Sequence, residues 1–195
     1  MIIDMHIHTR YSPCSVIGIN HLLRHAARSG LDGICITDHD TSAAASFLRR
    51  DVENPGICVI VGVEYTTHQG DFLVFGPVEN IPGKMDAAGL FRWARKEKGI
   101  VIPAHPFRKE RPADPAILES CIIIEGLNGR NRPHENALCS EWVKSHGNGI
   151  RLTGGSDAHT VEEIGKCATV FQRDICSTDD LIRELDSGNF VPVRR

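Results

Sequence analysis

The stretch IIDMHIHTRYSPCS, residues 2–15, sets the question that the rest of the chain must answer. In an extended strand, Asp4, His6 and His8 project to one face, and Met5 and Ile7 to the other. Two imidazoles at i, i+2 can grip a single ion, and neutral histidine nitrogen suits zinc, manganese, iron or nickel. An exposed strand face also accommodates histidines, so the pair gains meaning only from what accompanies it.

Similar apolar runs ending in polar residues recur along the chain. They are GICITDHD, ICVIVGVEY, GIVIPAHP, CIIIEGLNG and IRLTGGSDAH, with KCATVFQ as a further candidate. Helix signals lie between them. Asn20 can cap a helix that Gly30 ends, and Asp86 can open one that ends before Gly99. Pro133 suits a first helical turn, with Leu138 and Trp142 as an i, i+4 pair, and Thr178 can cap a last helix before Gly188. Strands alternating with helices predict parallel pairing with helical cover. The reactive residues collect at the carboxyl ends of at least five runs, as in a barrel whose loops build one site. The expected fold is α/β, a small, distorted TIM-like barrel.

Five elements supply the chemistry. His6 and His8 come first, and His39 follows between Asp38 and Asp40, whose carboxylates would support its ring, although Asp40 could also cap a helix ahead of Thr41 and Ser42. Glu64 ends a largely apolar run, so a buried carboxylate there needs a partner or a cation. His105 precedes Pro106, which prevents the strand from simply continuing. Asp157 and His159 follow the flexible TGGS. Five of the ten histidines thus stand at strand ends. Unrelated surface histidines have no reason to gather there. His21, His25 and His146 read as helix-surface residues, and His134 and His68 as loop or helix-start residues.

Composition narrows the classes. The 195 residues, 41% hydrophobic and 24% charged, suit one globular domain over residues 1–195. A net charge of −3 gives no general attraction to long nucleic acid or to an anionic membrane. No apolar run approaches the roughly 20 residues of a membrane span, and residues 1–30 lack a signal-peptide pattern. Seven cysteines without a CxxC pair predict a reduced, cytoplasmic protein. No P-loop, GxSxG or GxGxxG is present.

Taken in order, DMHIHT, ITDHDT, VGVE, PAHP, EGLNGRN and GGSDAH resemble the PHP family, named for polymerase and histidinol phosphatase domains. The resemblance spans nearly the whole chain. It implies a distorted (β/α)7 barrel holding two or three divalent ions (zinc, manganese or iron). His6, His8, Glu64 and Asp157 then look like ligands of a first ion, and Glu64 would bridge to a second, also held by His105. His39 and His159 look like ligands of a third. Cys14 stands where the family often has Asp or His. For the second ion, Asp71 is the positional candidate, with His68 as the alternative.

The implied activity is hydrolysis of a phosphate mono- or diester by metal-activated water. Asp157 would orient the water or accept its proton, and His39 or His159 would assist the leaving group. Arg130 is the first candidate for gripping phosphate, with Arg10 and Arg108 as alternatives. The expected substrate is a phosphorylated small molecule or a short oligonucleotide. Rival readings are an exonuclease using the same metals and a noncatalytic phospholigand- or partner-binding module.

Overall fold

The computed structural model describes residues 1–52, 56–146 and 149–195. Strand β1 (Ile2–Ile7) leads through α1 (Ile19–Arg28) to β2 (Gly33–Ile36), and α2 (Ala43–Asp51) precedes β3 (Cys58–Val61). These three strands run parallel, pairing Ile3 with Gly33 and Gly33 with Cys58. Next come β4 (Val63–Thr67), β5 (Gly70–Phe75), α3 (Ala87–Lys96) and β6 (Ile100–Pro103). The one-turn α4 (Pro115–Leu118) precedes β7 (Ile123–Asn128), α5 (Pro133–His146) and β8 (Arg151–Gly155). The chain closes with β9 (Cys167–Phe171), α6 (Thr178–Ser187) and β10 (Phe190–Arg194).

The α/β class agrees with expectation, but the purely parallel barrel does not. Among the described residues the strands form three sheets, ordered β10-β9-β1-β2-β3, β4-β5-β6 and β7-β8, with no closed ladder. The run ICVIVGVEY is two strands broken at Gly62, where a Cβ would lie 2.6 Å from the Val74 carbonyl oxygen. After β4 the chain turns back at His68 and Gln69. A link this short permits only antiparallel pairing, and Glu64 falls opposite Leu73. Strand β10 was not anticipated. Its Pro192 stands on the outermost strand of its sheet, where a missing N–H is tolerated.

Two caps sit elsewhere than expected. Gly18, not Asn20, caps α1, and Ser177, not Thr178, accepts from the Asp180 N–H to cap α6. Asp86 caps α3 as expected, accepting from the Gly89 N–H at 2.7 Å. Pro133 opens α5. Leu138 is exposed, whereas Trp142 stacks on His146.

Strand β1 is buried on both faces. Ile3 and Met5 pack with Cys35, Leu73, Phe75 and Ile102, while Ile7 packs with Ile34, Ile36 and Leu22. Burying these side chains contributes about 1.5–3 kcal/mol each, and it anchors the strand that carries His6 and His8. Beyond β1 the chain is tied to the segment after β8. The Asp157 N–H donates to the His6 carbonyl at 2.7 Å, and the His8 N–H to the Ala158 carbonyl at 3.0 Å. A similar bridge joins His39 to Glu64.

Candidate metal centre

Four donor atoms converge from the carboxyl end of β1, the start of β4 and the segment after β8. His8 Nε2 lies 3.0 Å from His6 Nε2 and 3.0 Å from Glu64 Oε2. Glu64 Oε2 is 3.3 Å from His6 Nε2, and Asp157 Oδ1 is 3.6 Å from His6 and 3.3 Å from His8. Donors bound to one ion at about 2.0–2.1 Å sit about 3.3 Å apart in a tetrahedron. The five separations above lie near that value, and the donor atoms of His6, His8 and Asp157 all lie within 4.8 Å of one another, so these residues fit a divalent ion. All four are buried, which leaves histidine nitrogens and carboxylates facing one another with little water between them.

Glu64 divides its two oxygens. Oε2 also meets His39 Nδ1 at 3.1 Å, while Oε1 meets His105 Nε2 at 2.8 Å. This is the arrangement expected of a bridging carboxylate. His8, His39 and His159 form a further group whose donor atoms lie within 4.8 Å of one another. The ring of His8 lies 4.5 Å from that of His39 and 4.4 Å from that of His159. His159 Nε2 is 3.1 Å from the exposed Cys14 Sγ.

The electrostatics follow from burial and crowding. Burial acts against charge on His6, but Glu125, Asp157 and Glu64 outweigh it and raise its pKa well above the ordinary value. His8 is raised as well, burial being outweighed by bonds to Asp157 and Glu64. Burial works to raise Glu64 and Asp157, yet His6 above all holds both well below the carboxylate range. His39 and His159 go the other way. Burial, reinforced for His159 by His8, lowers them, His159 to about 4. Both rings are thus unprotonated at neutral pH, as metal ligands must be.

Several groups stand behind the candidate ligands. Asp38 does not support the His39 ring. It accepts from the Thr9 N–H at 2.7 Å and from Ser12 Oγ at 2.7 Å. Ser12 Oγ in turn lies 3.1 Å from His8 Nδ1, so Asp38 orients His8 through Ser12. Asp40 neither caps a helix nor faces the centre, and accepts from the Thr66 N–H at 2.8 Å. Asp4 is wholly buried and accepts from the N–H groups of Ser156 and Gly165, at 2.8 and 2.9 Å. It braces the segment that carries Asp157. Glu125 and Asn128 lie within EGLNGRN, in a run whose apolar character reads as strand interior, yet both reach the centre.

Residues 133–190 match the family model described as PHP-associated. Endonuclease Q, solved with a 27-mer duplex substrate carrying an abasic lesion, shares the fold with a TM-score of 0.73 at 15% identity. The match covers 98% of this chain and 58% of that one. A candidate metal-dependent phosphoesterase from Bifidobacterium adolescentis superposes with a TM-score of 0.68 at 16% identity, over 95% and 96% of the two chains. The chain shares the fold of these solved structures. The chain also superposes on PsfC from Pseudomonas syringae, with a TM-score of 0.77 at 19% identity over 100% and 91% of the chains. The uncharacterised protein MJ0417 of Methanocaldococcus jannaschii is 25% identical to it over 193 residues, 93% of this chain and 75% of the relative. At such identities the solved structures show a common fold.

The candidate metal centre opens into a cleft of 770 Å³ lined by Cys14, His39, His105, Asp157 and His159, with Arg108, Arg111, Arg130 and Arg132 around them. Of the three arginines singled out in the sequence, Arg130 lines this cleft and shows no side-chain bond among the described residues. Arg108 is already engaged. Its Nη2 donates to Asp157 Oδ2 at 2.6 Å and to Asn128 Oδ1 at 2.9 Å. Arg10 lines a separate cavity beside Asn20, His21 and Arg24, so the fold does not bring it to the cleft. Asp71 lines the cleft, but both of its oxygens are taken by Arg111, one at 2.8 Å from Nε and the other by Nη2. His68 is exposed at the β4–β5 turn and does not line the cleft. Arg111 was not anticipated, because the loop after His105 reveals its direction only once folded.

Proposed function

We propose that this chain is a metal-dependent phosphoesterase of the PHP family that hydrolyses a phosphate mono- or diester of a small molecule or a short oligonucleotide. The observation that carries the reading is the convergence of four donors beside an arginine-lined cleft, with the His6 and His8 Nε2 atoms each 3.0–3.6 Å from an oxygen of Glu64 and of Asp157. His6, His8, Glu64 and Asp157 would hold one divalent ion (zinc, manganese or iron). Glu64 and His105 would hold a second, and His39 and His159, with Cys14 beside them, a third. Ions bound there would lower the pKa of water and offset charge on the phosphoryl oxygens.

The chain's own groups supply the rest. Arg130 would take the phosphate through its guanidinium, on the side of the cleft nearest Cys14 and His159. Arg108 holds Asp157 Oδ2, so Asp157 keeps Oδ1 turned toward the two histidines. Should no third ion bind, His39 and His159, unprotonated at neutral pH, would instead accept or relay a proton near the leaving group. Glu64 carries charge at the centre because the imidazoles around it suppress its protonation.

The test is metal analysis of purified protein, paired with hydrolysis of monoesters, diesters and short oligonucleotides under zinc, manganese or iron. His6→Ala and Asp157→Asn should each lower activity by more than about 100-fold and reduce bound metal. Full activity and metal content in both variants would overturn the site. Stoichiometric metal without hydrolysis of any ester would favour a binding module. Release of terminal nucleotides, with no phosphate freed from small monoesters, would identify an exonuclease.

A further inference from the structure

Glu125 takes no part in the ligand set, yet it is buried in β7 with every oxygen engaged at the centre. Oε1 lies 3.0 Å from His6 Nδ1. Oε2 accepts from the His105 backbone N–H at 2.7 Å and from Asn128 Nδ2 at 2.9 Å. One carboxylate therefore touches the ring carried by β1 and the backbone that follows β6. Gly155 leaves room for this. A Cβ on Gly155 would stand 3.0 Å from Glu125 Oε1 and 2.8 Å from the His6 nitrogen.

Both contacts fall where orientation matters. His6 presents Nε2 to His8, Glu64 and Asp157, and a coordinating nitrogen must carry no proton. The ring proton then belongs on Nδ1, which needs an acceptor. Among the described residues Glu125 is the partner of that nitrogen. His105 has a φ of +30°, a conformation that side chains other than glycine rarely adopt. Such backbone persists only where its surroundings hold it. The bond from its N–H to Glu125 is one such restraint.

We propose that Glu125 is a positioning residue that fixes the ring tautomer of His6 and the backbone of His105, and thereby sets metal affinity. The inference rests on the reading of His6 and His105 as ligands. It does not depend on which ester is hydrolysed, nor on hydrolysis at all.

The discriminating variant is Glu125→Gln. Its carbonyl oxygen can still accept from the His105 N–H and from Asn128. Its NH₂ group then faces His6 Nδ1 and presents a donor where an acceptor is required. Zinc affinity, measured by competition with a chromogenic chelator, should fall about 10–100-fold with the far-UV circular dichroism spectrum retained. In a His6→Ala background the same change should alter zinc affinity less than about twofold, because the group it acts through is gone. Unchanged affinity in Glu125→Gln, or an equal loss in both backgrounds, overturns the proposal.

Should Glu125→Gln fail to fold, zinc-loaded wild type carries its own readout. Proton–nitrogen correlation spectra of histidine-labelled protein should show His6 with a slowly exchanging proton on Nδ1. A proton on Nε2, or one on Nδ1 exchanging at the solvent rate, sinks the assignment. Wild type that binds no divalent ion overturns the metal reading and this one together. Wild type that binds zinc but hydrolyses nothing overturns only the esterase.

Discussion

Cys14 Sγ, 3.1 Å from His159 Nε2, occupies a position where a harder ligand was expected from the family resemblance. Burial, with the charges of Glu64 and Asp157, raises its thiol pKa. Cys35, Cys121, Cys139 and Cys167 are buried, with thiol values pushed up by desolvation, to about 12 for Cys139. Iodoacetamide should therefore modify Cys14 and Cys176, the two exposed thiols, before the buried four. If Cys14 is a ligand, saturating zinc should slow its alkylation about tenfold or more and leave Cys176 unchanged. Equal rates with and without zinc, read by peptide mass spectrometry, would remove Cys14 from the ligand set. At this scale the sequence was informative about chemistry. His6, His8, His39, Glu64, His105, Asp157 and His159 all reach one centre. It was less informative about partners, because the pairing of Arg108 with Asp157 or Arg111 with Asp71 joins residues at least 40 apart in the chain.

Element β8 shows why the centre depends on close packing. Its two glycines carry no side chain between β8 and its neighbours. At Gly154 a Cβ would stand 2.5 Å from the Ala168 carbonyl oxygen, and at Gly155 it would stand 2.8 Å from the His6 nitrogen. The nearest obstructing atoms are backbone at Gly154 and, at Gly155, the His6 Cβ at 2.4 Å and backbone nitrogen, none of which can swing aside as the far end of a long side chain can. Gly155→Ala should therefore destabilise the protein by about 1–3 kcal/mol, measured as a lower urea midpoint at unchanged slope. Zinc affinity should fall with it, since β1 must move. Gly83→Ala, where an added Cβ meets nothing within 4 Å, should stay within about 0.5 kcal/mol. A normal midpoint for Gly155→Ala would refute the close-approach argument. The strand runs were legible here as apolar stretches, but their directions were not. The parallel expectation failed at β4–β5 because a short turn, rather than strand composition, decides the sense of pairing.

For the whole molecule, the centre makes stability depend on pH in opposite senses with and without metal. In metal-free protein His6 and His8 are raised above the ordinary 6.5. A raised folded-state pKa contributes stability that is full below the unfolded value and is lost as pH rises through the folded one. Glu64 and Asp157 are lowered, from 4.5 and 3.8, so their contribution is present above those values and is lost as pH falls through the folded ones. Chelated protein should thus be most stable between roughly pH 4.5 and 6.5 as far as these groups are concerned, with a melting temperature that declines above neutrality. Metal must displace the histidine protons, so its affinity should rise with pH over the range where chelated protein weakens. Calorimetry in buffers of different ionisation enthalpy should register proton release on binding. A chelated melting temperature that climbs from pH 6.5 to 8.5, or binding without proton release, would contradict the protonation states described.

Residue types and their order along the chain determined the α/β class, the apolar runs and the candidate ligands, because hydrophobic periodicity and ligand chemistry are local properties. They also placed Asp86 at a helix start and Pro133 in a first turn, where a few neighbouring atoms settle the matter. Tertiary structure alone decided that Glu125 stands behind His6, that Asp38 acts on His8 through Ser12, and that Arg10 faces a different cavity. Those relations depend on which strands become neighbours and in which direction they run. Burial and backbone approach settle that across the whole chain, and no window of sequence contains it.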